Sequence, residues 1–334
     1  MTAQAFPDLL AECLIPREAL FDERHEMAFR LFNGFSEGWP ELVVDLYATT
    51  IIFSNYADPP DKGLDAIRAA QDLLQSRLPW LSAGLIKSRN SKSLEDRRGR
   101  LLFGGALDRR IKEDGVWYAL DLTMHQDASL YLDTRNLRRW AIGHLENRTV
   151  LNTFAYTGSL GVAALAGKAG RVVQLDRNER FLNVGKTSYM LNGFPSHKAD
   201  FIKADFFKQA GRFKRAHQGF DCVFVDPPFF ASSAGGIVDQ VHDSARLINK
   251  VRPLVNDGGY LVAINNAVYV SGRDYLRTLE ELCADGYLKL IELIPVPEDI
   301  TGYPETRVGN PITDPAPFNH ATKIAVLQVR RKQN

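Results

Sequence analysis

From Val150 onward, short apolar runs alternate with polar-faced stretches of ten to fifteen residues. That alternation is the pattern of a parallel sheet wound by helices on both faces. The runs predict strands at Val150–Asn152, Arg171–Leu175, Phe201–Ile202, Phe220–Val225, Gly259–Ile264, Tyr287–Ile294 and Thr322–Val329, with helices beginning near Ser159, Asn178, Phe206, Asp239 and Arg273. Between Val296 and His320 five prolines interrupt any helical period. A connection of that length is usually functional or disordered. Earlier in the chain, strand-like runs at Glu41–Leu46, Ile51–Ser54 and Gly115–Leu122 accompany one amphipathic helix. It runs from about Gly63 to Leu78, with Leu64, Ile67, Ala70, Leu73 and Leu74 on one face, Pro59 and Pro60 at its start and Pro79 at its end. The expected fold is α/β: a seven-stranded, mostly parallel, doubly wound sheet in residues 123–334, preceded by a smaller α+β domain in 1–122.

Composition narrows the function. With 334 residues, 45% of them hydrophobic, the chain can bury a large core and is not a disordered protein. Forty-one Lys plus Arg oppose 40 Asp plus Glu, a net charge of +1, so any nucleic-acid contact must be local. Cys13, Cys222 and Cys283 are widely separated and form no C-x-x-C pair, which argues against a disulfide framework or a cysteine metal site. Asp8, Glu12 and Arg17 lie where a signal peptide needs an apolar run, and no stretch approaches the ~20 apolar residues that cross a bilayer. A cytoplasmic protein without membrane contact is expected.

In an open α/β sheet, ligands bind beyond the carboxyl ends of the strands, where strand order reverses. The first strand of the second region runs into Asn152-Thr153-Phe154-Ala155-Tyr156-Thr157-Gly158-Ser159-Leu160-Gly161, a small-residue turn that lets a ligand approach backbone amides. The second ends at Asp176, 18 residues after Gly158 and followed by Arg177, near the spacing at which an acid reaches a ribose hydroxyl. An N-cap role also fits Asp176. After the third strand, Asp205 and Phe206 suit an adenine amine and ring, but on these residues alone a helix cap and a core aromatic is the stronger account. The fourth ends in Asp226-Pro227-Pro228-Phe229. There two prolines stiffen the backbone beside a carboxylate, and an aromatic ring is available to stack on a planar base. No G-x-x-x-x-G-K-[S/T] and no G-x-G-x-x-G is present, which leaves a nucleoside without a diphosphate, as in S-adenosylmethionine.

These residues resemble class I S-adenosylmethionine-dependent methyltransferases. Within that class the chain resembles the group that includes the bacterial 23S rRNA large-subunit methyltransferases acting on cytosine and guanine. Gly34-Phe35-Ser36-Glu37-Gly38-Trp39-Pro40-Glu41-Leu42-Val43-Val44-Asp45 is similar to the group's G-E-x-D-G-L-P-G-L-V-V-D segment, and Leu130-Tyr131-Leu132-Asp133-Thr134-Arg135-Asn136 to its F-F-L-D-Q-R-E segment. The resemblance implies that Asn152, Phe154, Tyr156 and Gly158 line the methionine end of S-adenosylmethionine. Asp176, with Arg177 beside it, would hold the ribose, and Asp205 and Phe206 the adenine. Asp133 and Arg135 would cover the site from outside, and Asp226 to Phe229 would face the substrate.

Two departures refine the expectation. Carbon methylation of cytosine needs a thiolate nucleophile, which relatives carry in a Ser-Cys-Ser type turn after the fifth strand. This chain reads Ala263-Ile264-Asn265-Asn266-Ala267 there, so a nitrogen acceptor is expected. Only about 15 residues precede the region that resembles the group, so the N-terminal RNA-binding barrel of several relatives is not expected. Phosphate contacts are expected instead from Lys87 to Lys112, where nine basic residues face three acidic ones. His125, His242 and His320 are weaker candidates as proton acceptors. Methylation of a small molecule or a protein side chain, with the Pro-rich connection as a lid, and a non-catalytic RNA-binding assembly factor are the competing functions.

Overall fold

The computed structural model describes residues 6–233 and 235–331. Two compact units divide the chain: one runs to Leu132 and takes in Pro297–Pro311, the other comprises Asp133–Val296 and the chain from Ile312 onward. The division thus falls ten residues beyond the expected boundary at Leu122, and the first unit is discontinuous in sequence.

In the first unit, β1 (Ala28–Asn33), β2 (Leu42–Tyr47), β3 (Thr50–Asn55), β4 (Ala83–Ser88) and β5 (Arg100–Gly104) form a sheet in that order. All neighbours are antiparallel except β3 and β4. A parallel pair needs a crossover, and the helix Leu64–Arg77 supplies it, burying Ile67, Ala70 and Leu74 against the sheet's apolar cluster. β6 (Arg110–Glu113) and β7 (Val116–Ala119) make a separate hairpin. Part of the Pro-rich connection is pinned to this unit. Arg17, fully buried, pairs with Glu37 at 2.9 Å and donates to the Asp299 carbonyl, while Glu37 also accepts from Thr306. Asn33 donates to the Ile300 carbonyl and the Arg30 amide to the Asp299 carboxylate. A buried ion pair of this kind holds because every charged edge is hydrogen-bonded.

The second unit is built on β8 (Thr149–Thr153), β9 (Arg171–Asp176), β10 (Phe201–Lys203), β11 (Phe220–Val225), β14 (Val255–Asn265), β15 (Leu288–Ile294) and β16 (Lys323–Val329). Between β11 and β14 the short β12 (Phe230–Ser233) and β13 (Gly236–Asp239) pair as a hairpin. The large sheet runs β10-β9-β8-β11-β14-β16-β15, with only β16 antiparallel to its neighbours. Alternate residues feed two cores. Val150, Cys222, Phe224, Ile324 and Val326 point to the face covered by helices Arg135–His144 and Ser159–Ala166. Leu151, Val223, Val225, Ala325 and Leu327 point to the face covered by helices Phe206–Arg215, Ser244–Val251 and Gly272–Cys283. Strand order reverses between β8 and β11, which makes their carboxyl ends the switch point.

The helix expected near Asp239 starts instead at Ser244. Asp239 closes β13, and its carboxylate accepts from the Val241 and His242 amides, a local turn that delays helix entry. The helix Arg135–His144 was not foreseen, because its three arginines mask the apolar spacing of Leu137, Trp140 and Ala141. No helix among the described residues is long and apolar enough to cross a membrane.

Candidate active site

The turn after β8 holds Phe154 at φ +54°, Tyr156 at φ +51° and Gly158 at φ +78°. Two bulky residues in the left-handed region cost roughly 1–3 kcal/mol each and persist only where neighbours enforce them. β9 enforces them here. The Ala155 amide donates to the Leu175 carbonyl, and the Tyr156 amide to Oδ2 of Asp176 at 2.9 Å. Asn152 is buried and donates to Oε1 of Gln174, whose Nε2 holds the Gly158 carbonyl. Asn152 therefore shapes the turn from beneath instead of lining its open side. Gly161 is needed for the same contact, since a Cβ there would lie 2.1 Å from Gln174 Nε2.

Asp176 is not the helix cap. That task belongs to Asn178, whose side chain accepts from the Arg180 amide. The carboxyl oxygens of Asp176 each accept one amide, from Asn178 and from Tyr156, and burial raises its pKa against the lowering effect of those bonds. For Asp205 the capping account holds: Oδ1 accepts from the Lys208 amide at the start of helix Phe206–Arg215. Desolvation alone would raise the Asp205 carboxyl, but the Ser233 hydroxyl and the Lys208 amide outweigh it and the net shift is downward. Phe206 is a core ring, 4.5 Å from the Phe154 ring and 5.0 Å from that of Phe207. Arg177 is exposed and braces the β12–β13 hairpin through the Ser232 carbonyl.

β11 delivers Asp226 to the switch point. The residue keeps part of its surface accessible, yet lies deep enough that lost solvation, and then the charge of Asp133, push its pKa up to about 7. Asp133 is held by the Thr322 hydroxyl at 2.7 Å. Arg135, expected on the outside, is buried at the head of its helix. Pro227 is buried, Pro228 is exposed, and the Phe229 ring is 46% exposed, so the corner presents an aromatic face to solvent. The Pro227 carbonyl accepts from Nε2 of Gln240. Gln240 is 1% exposed and its Oε1 accepts from the Asn266 amide, so it ties the β11 corner to the Asn-Asn turn after β14. Sequence reasoning missed Gln240, and no local pattern marks it.

Cys222 lies inside β11, fully buried, with its thiol pKa raised by burial; Cys13 is likewise buried and pushed up to about 12. Neither is an accessible thiolate. Cys222→Ala is expected to keep the turnover rate within twofold while lowering stability by about 1 kcal/mol, as read from initial rates and denaturant melts. Among the described residues no group of three His, Cys, Asp or Glu side chains could hold a metal ion.

In the first unit the basic segment does not act as one surface. Lys87 is buried, donates to the His125 and Asp127 carbonyls, and has its pKa lowered by burial to about 8. Arg89 is engaged by the Gln126 carbonyl and Asp127. Lys92, Arg98, Arg100, Arg109 and Arg110 are exposed. Arg100 pairs with Asp96, and Arg110 lies over the Trp117 ring at 4.4 Å.

Residues 29–305 match the family model described as S-adenosylmethionine-dependent methyltransferase. The chain belongs to this methyltransferase family. Two relatives named ribosomal RNA large subunit methyltransferase I are similar to it. The one from Photobacterium profundum is 28% identical over 262 residues, covering 78% of this chain and 63% of the relative. The one from Aeromonas hydrophila is 26% identical over 301 residues, covering 86% and 75%. The chain thus spans somewhat under two thirds of the length of the first of these methyltransferases. A SAM-dependent methyltransferase structure from Streptococcus mutans superposes with a TM-score of 0.83 at 20% identity, covering 98% of this chain and 82% of that one. A methyltransferase structure complexed with SAH gives 0.84 at 21% identity, with the same coverage. These likenesses show a shared methyltransferase fold.

Proposed function

We propose that this methyltransferase moves the methyl group of S-adenosylmethionine to a nitrogen of a base in ribosomal RNA. The observation that carries the proposal is Asp226: a carboxyl poised near neutrality at the switch point, on a proline-stiffened corner beside an exposed aromatic ring. The names of the relatives support rRNA as the substrate.

The residues suit a phosphate-free nucleoside. Asp176 and Asp205 end or follow successive strands and are acceptor-only when ionised, matching a ribose diol and an adenine amine. The Asp176 carboxylate is held by the Tyr156 and Asn178 amides, with the Arg177 amide beside it, and its four lone-pair sites leave capacity for a hydroxyl. Phe154 offers a ring surface, Phe206 backs it from the core, and Tyr156 and Gly158 set the turn over Asp176. Asp133, Arg135 and Arg177 are assigned supporting roles around the cofactor, and Asn152 acts through Gln174.

S-adenosylmethionine supplies a methyl group on a leaving group that is already activated. What the protein adds is chiefly alignment, which can contribute roughly 7–11 kcal/mol. Asp226 accepts a hydrogen bond from the attacking nitrogen and takes the proton that nitrogen loses as its bond to carbon forms. A pKa near 7 suits that transfer at neutral pH. Phe229 stacks on the base, and a base within helical RNA would be flipped outward to reach it. In this proposal residues of the first unit contact RNA through Lys92, Arg98, Arg100, Arg109 and Arg110, and the second unit carries catalysis. A cytoplasmic setting fits three cysteines that are all free.

Incubation with tritiated S-adenosylmethionine and fractionated RNA, protein and metabolites tests this directly. Label is expected in ribosomal RNA, and nucleoside mass spectrometry is expected to show a nitrogen-methylated base. Label confined to the protein or metabolite fraction would replace the substrate class.

A further inference from the structure

We infer that Gln240 is a positioning residue for methyl transfer, locking the Asp226–Phe229 corner to the Asn265–Asn266 turn. The inference rests on the reading of Asp226 as the group that faces the base.

All the polar groups of Gln240 are engaged. Its Nε2 donates to the Pro227 carbonyl and its Oε1 accepts from the Asn266 amide. Its main-chain amide donates to the Phe229 carbonyl, and its main-chain carbonyl accepts from Asn265 Nδ2 and the Ser244 hydroxyl. One buried residue therefore fixes both flanks of Phe229 and both asparagines of the neighbouring strand end. The sheet cannot do this itself. The pairing of β11 with β14 ends at Val225 and Ala263, so beyond that level no ladder hydrogen bond joins the two strand tips. Prolines at 227 and 228 remove two successive amides, one facing each neighbouring strand, so the ladder toward β14 has no donor there. Gln240 substitutes a side-chain bridge for the missing rungs, at the place where the orientation of Asp226 and Phe229 matters most. Asn266 Oδ1 is buried and has no hydrogen-bond partner among the described residues, so the turn that Gln240 holds also carries an unused acceptor there.

The bridge needs a donor on one side and an acceptor on the other, which an amide provides and a carboxylate does not. Gln240→Met keeps length and packing but removes both. Its kcat is expected to fall about 100-fold, the scale of a 1 Å misplacement of reacting groups, with the S-adenosylmethionine dissociation constant within threefold of wild type. Gln240→Glu keeps the acceptor for Asn266 but sets a carboxylate against the Pro227 carbonyl. Protonation restores the donor, so the ratio of its kcat to that of wild type is expected to rise as pH falls from 8 to 6.

Hydrogen exchange at the Asn266 amide gives a readout independent of catalysis: protected in wild type and in Gln240→Glu, fast in Gln240→Met. Unchanged exchange in the methionine variant overturns the bridge. An unchanged kcat, or losses of kcat and cofactor affinity in equal measure, overturns the positioning role in favour of a merely structural one. If wild type methylates no RNA, the proposed function fails, while the exchange measurement still decides whether Gln240 joins the two strand ends.

Discussion

Asp226→Asn is expected to give a protein that is more stable at pH 8 than wild type and nearly inactive. Asparagine is isosteric with aspartate, so the corner is preserved, but it cannot take the proton that leaves the base. A loss of 10²–10⁴ in kcat is the usual scale for removing such a group. The stability change follows from linkage. The folded-state pKa of Asp226, about 7, lies above the roughly 3.9 of an unfolded aspartate, so the folded state holds the extra proton between those values. Stability therefore falls as pH rises from about 4 toward 7, and the full penalty, of the order of 2–4 kcal/mol, is present above 7. The asparagine variant has no such penalty. Its thermal midpoint should exceed that of wild type at pH 8, and the gap should close by about pH 4. Wild-type kcat should move the other way, rising with pH through the neutral range as the carboxylate forms. Parallel melting curves from pH 4 to 8, or a variant that turns over at the wild-type rate, would remove Asp226 from the mechanism.

Asp176→Ala should produce the largest loss of cofactor affinity. Two effects combine at that side chain. The ribose loses its acceptors, at about 1.5–3 kcal/mol for each hydrogen bond to a charged group, and the Tyr156 amide loses the partner that keeps the turn after β8 in its left-handed conformation. Calorimetric titration with S-adenosylmethionine is expected to show at least a 100-fold weaker dissociation constant. Asp205→Ala should cost less, because one of its oxygens already caps a helix, a contact worth about 1 kcal/mol to stability. Equal affinities for Asp176→Ala and wild type would mean that the ribose is held elsewhere.

Much of the second unit was legible because its strands are buried on both faces. Phe220–Val225 reads as an apolar run broken only by Asp221, and the strand occupies those same residues. Arg171 to Asp176 and Lys323 to Val329 fall within a residue of their expected bounds for the same reason. In the first unit β1 carries Arg30 and Asn33 and β4 carries Gly84, Lys87 and Ser88, so neither presents the apolar run that marks a strand buried on both faces, and neither is predicted. The hairpin β12–β13 has no counterpart among the predicted strands.

What the sequence determined by itself is the set of strand tips and the residues standing on them. Asp176, Asp205 and Asp226 follow their strands whatever surrounds them, because a strand's end is a local property of apolar patterning. Which of them is free was decided only by tertiary structure. Asn178 rather than Asp176 caps the next helix, Asp205 does cap one, and Asp226 is perturbed by Asp133, 93 positions earlier in the chain. Lys87 looked like a phosphate ligand until two carbonyls from 38 and 40 residues away enclosed it. Gln240 is the extreme case. Its two side-chain partners lie 13 and 26 residues away on different strand ends, so its role exists only once β11 and β14 are neighbours in the sheet.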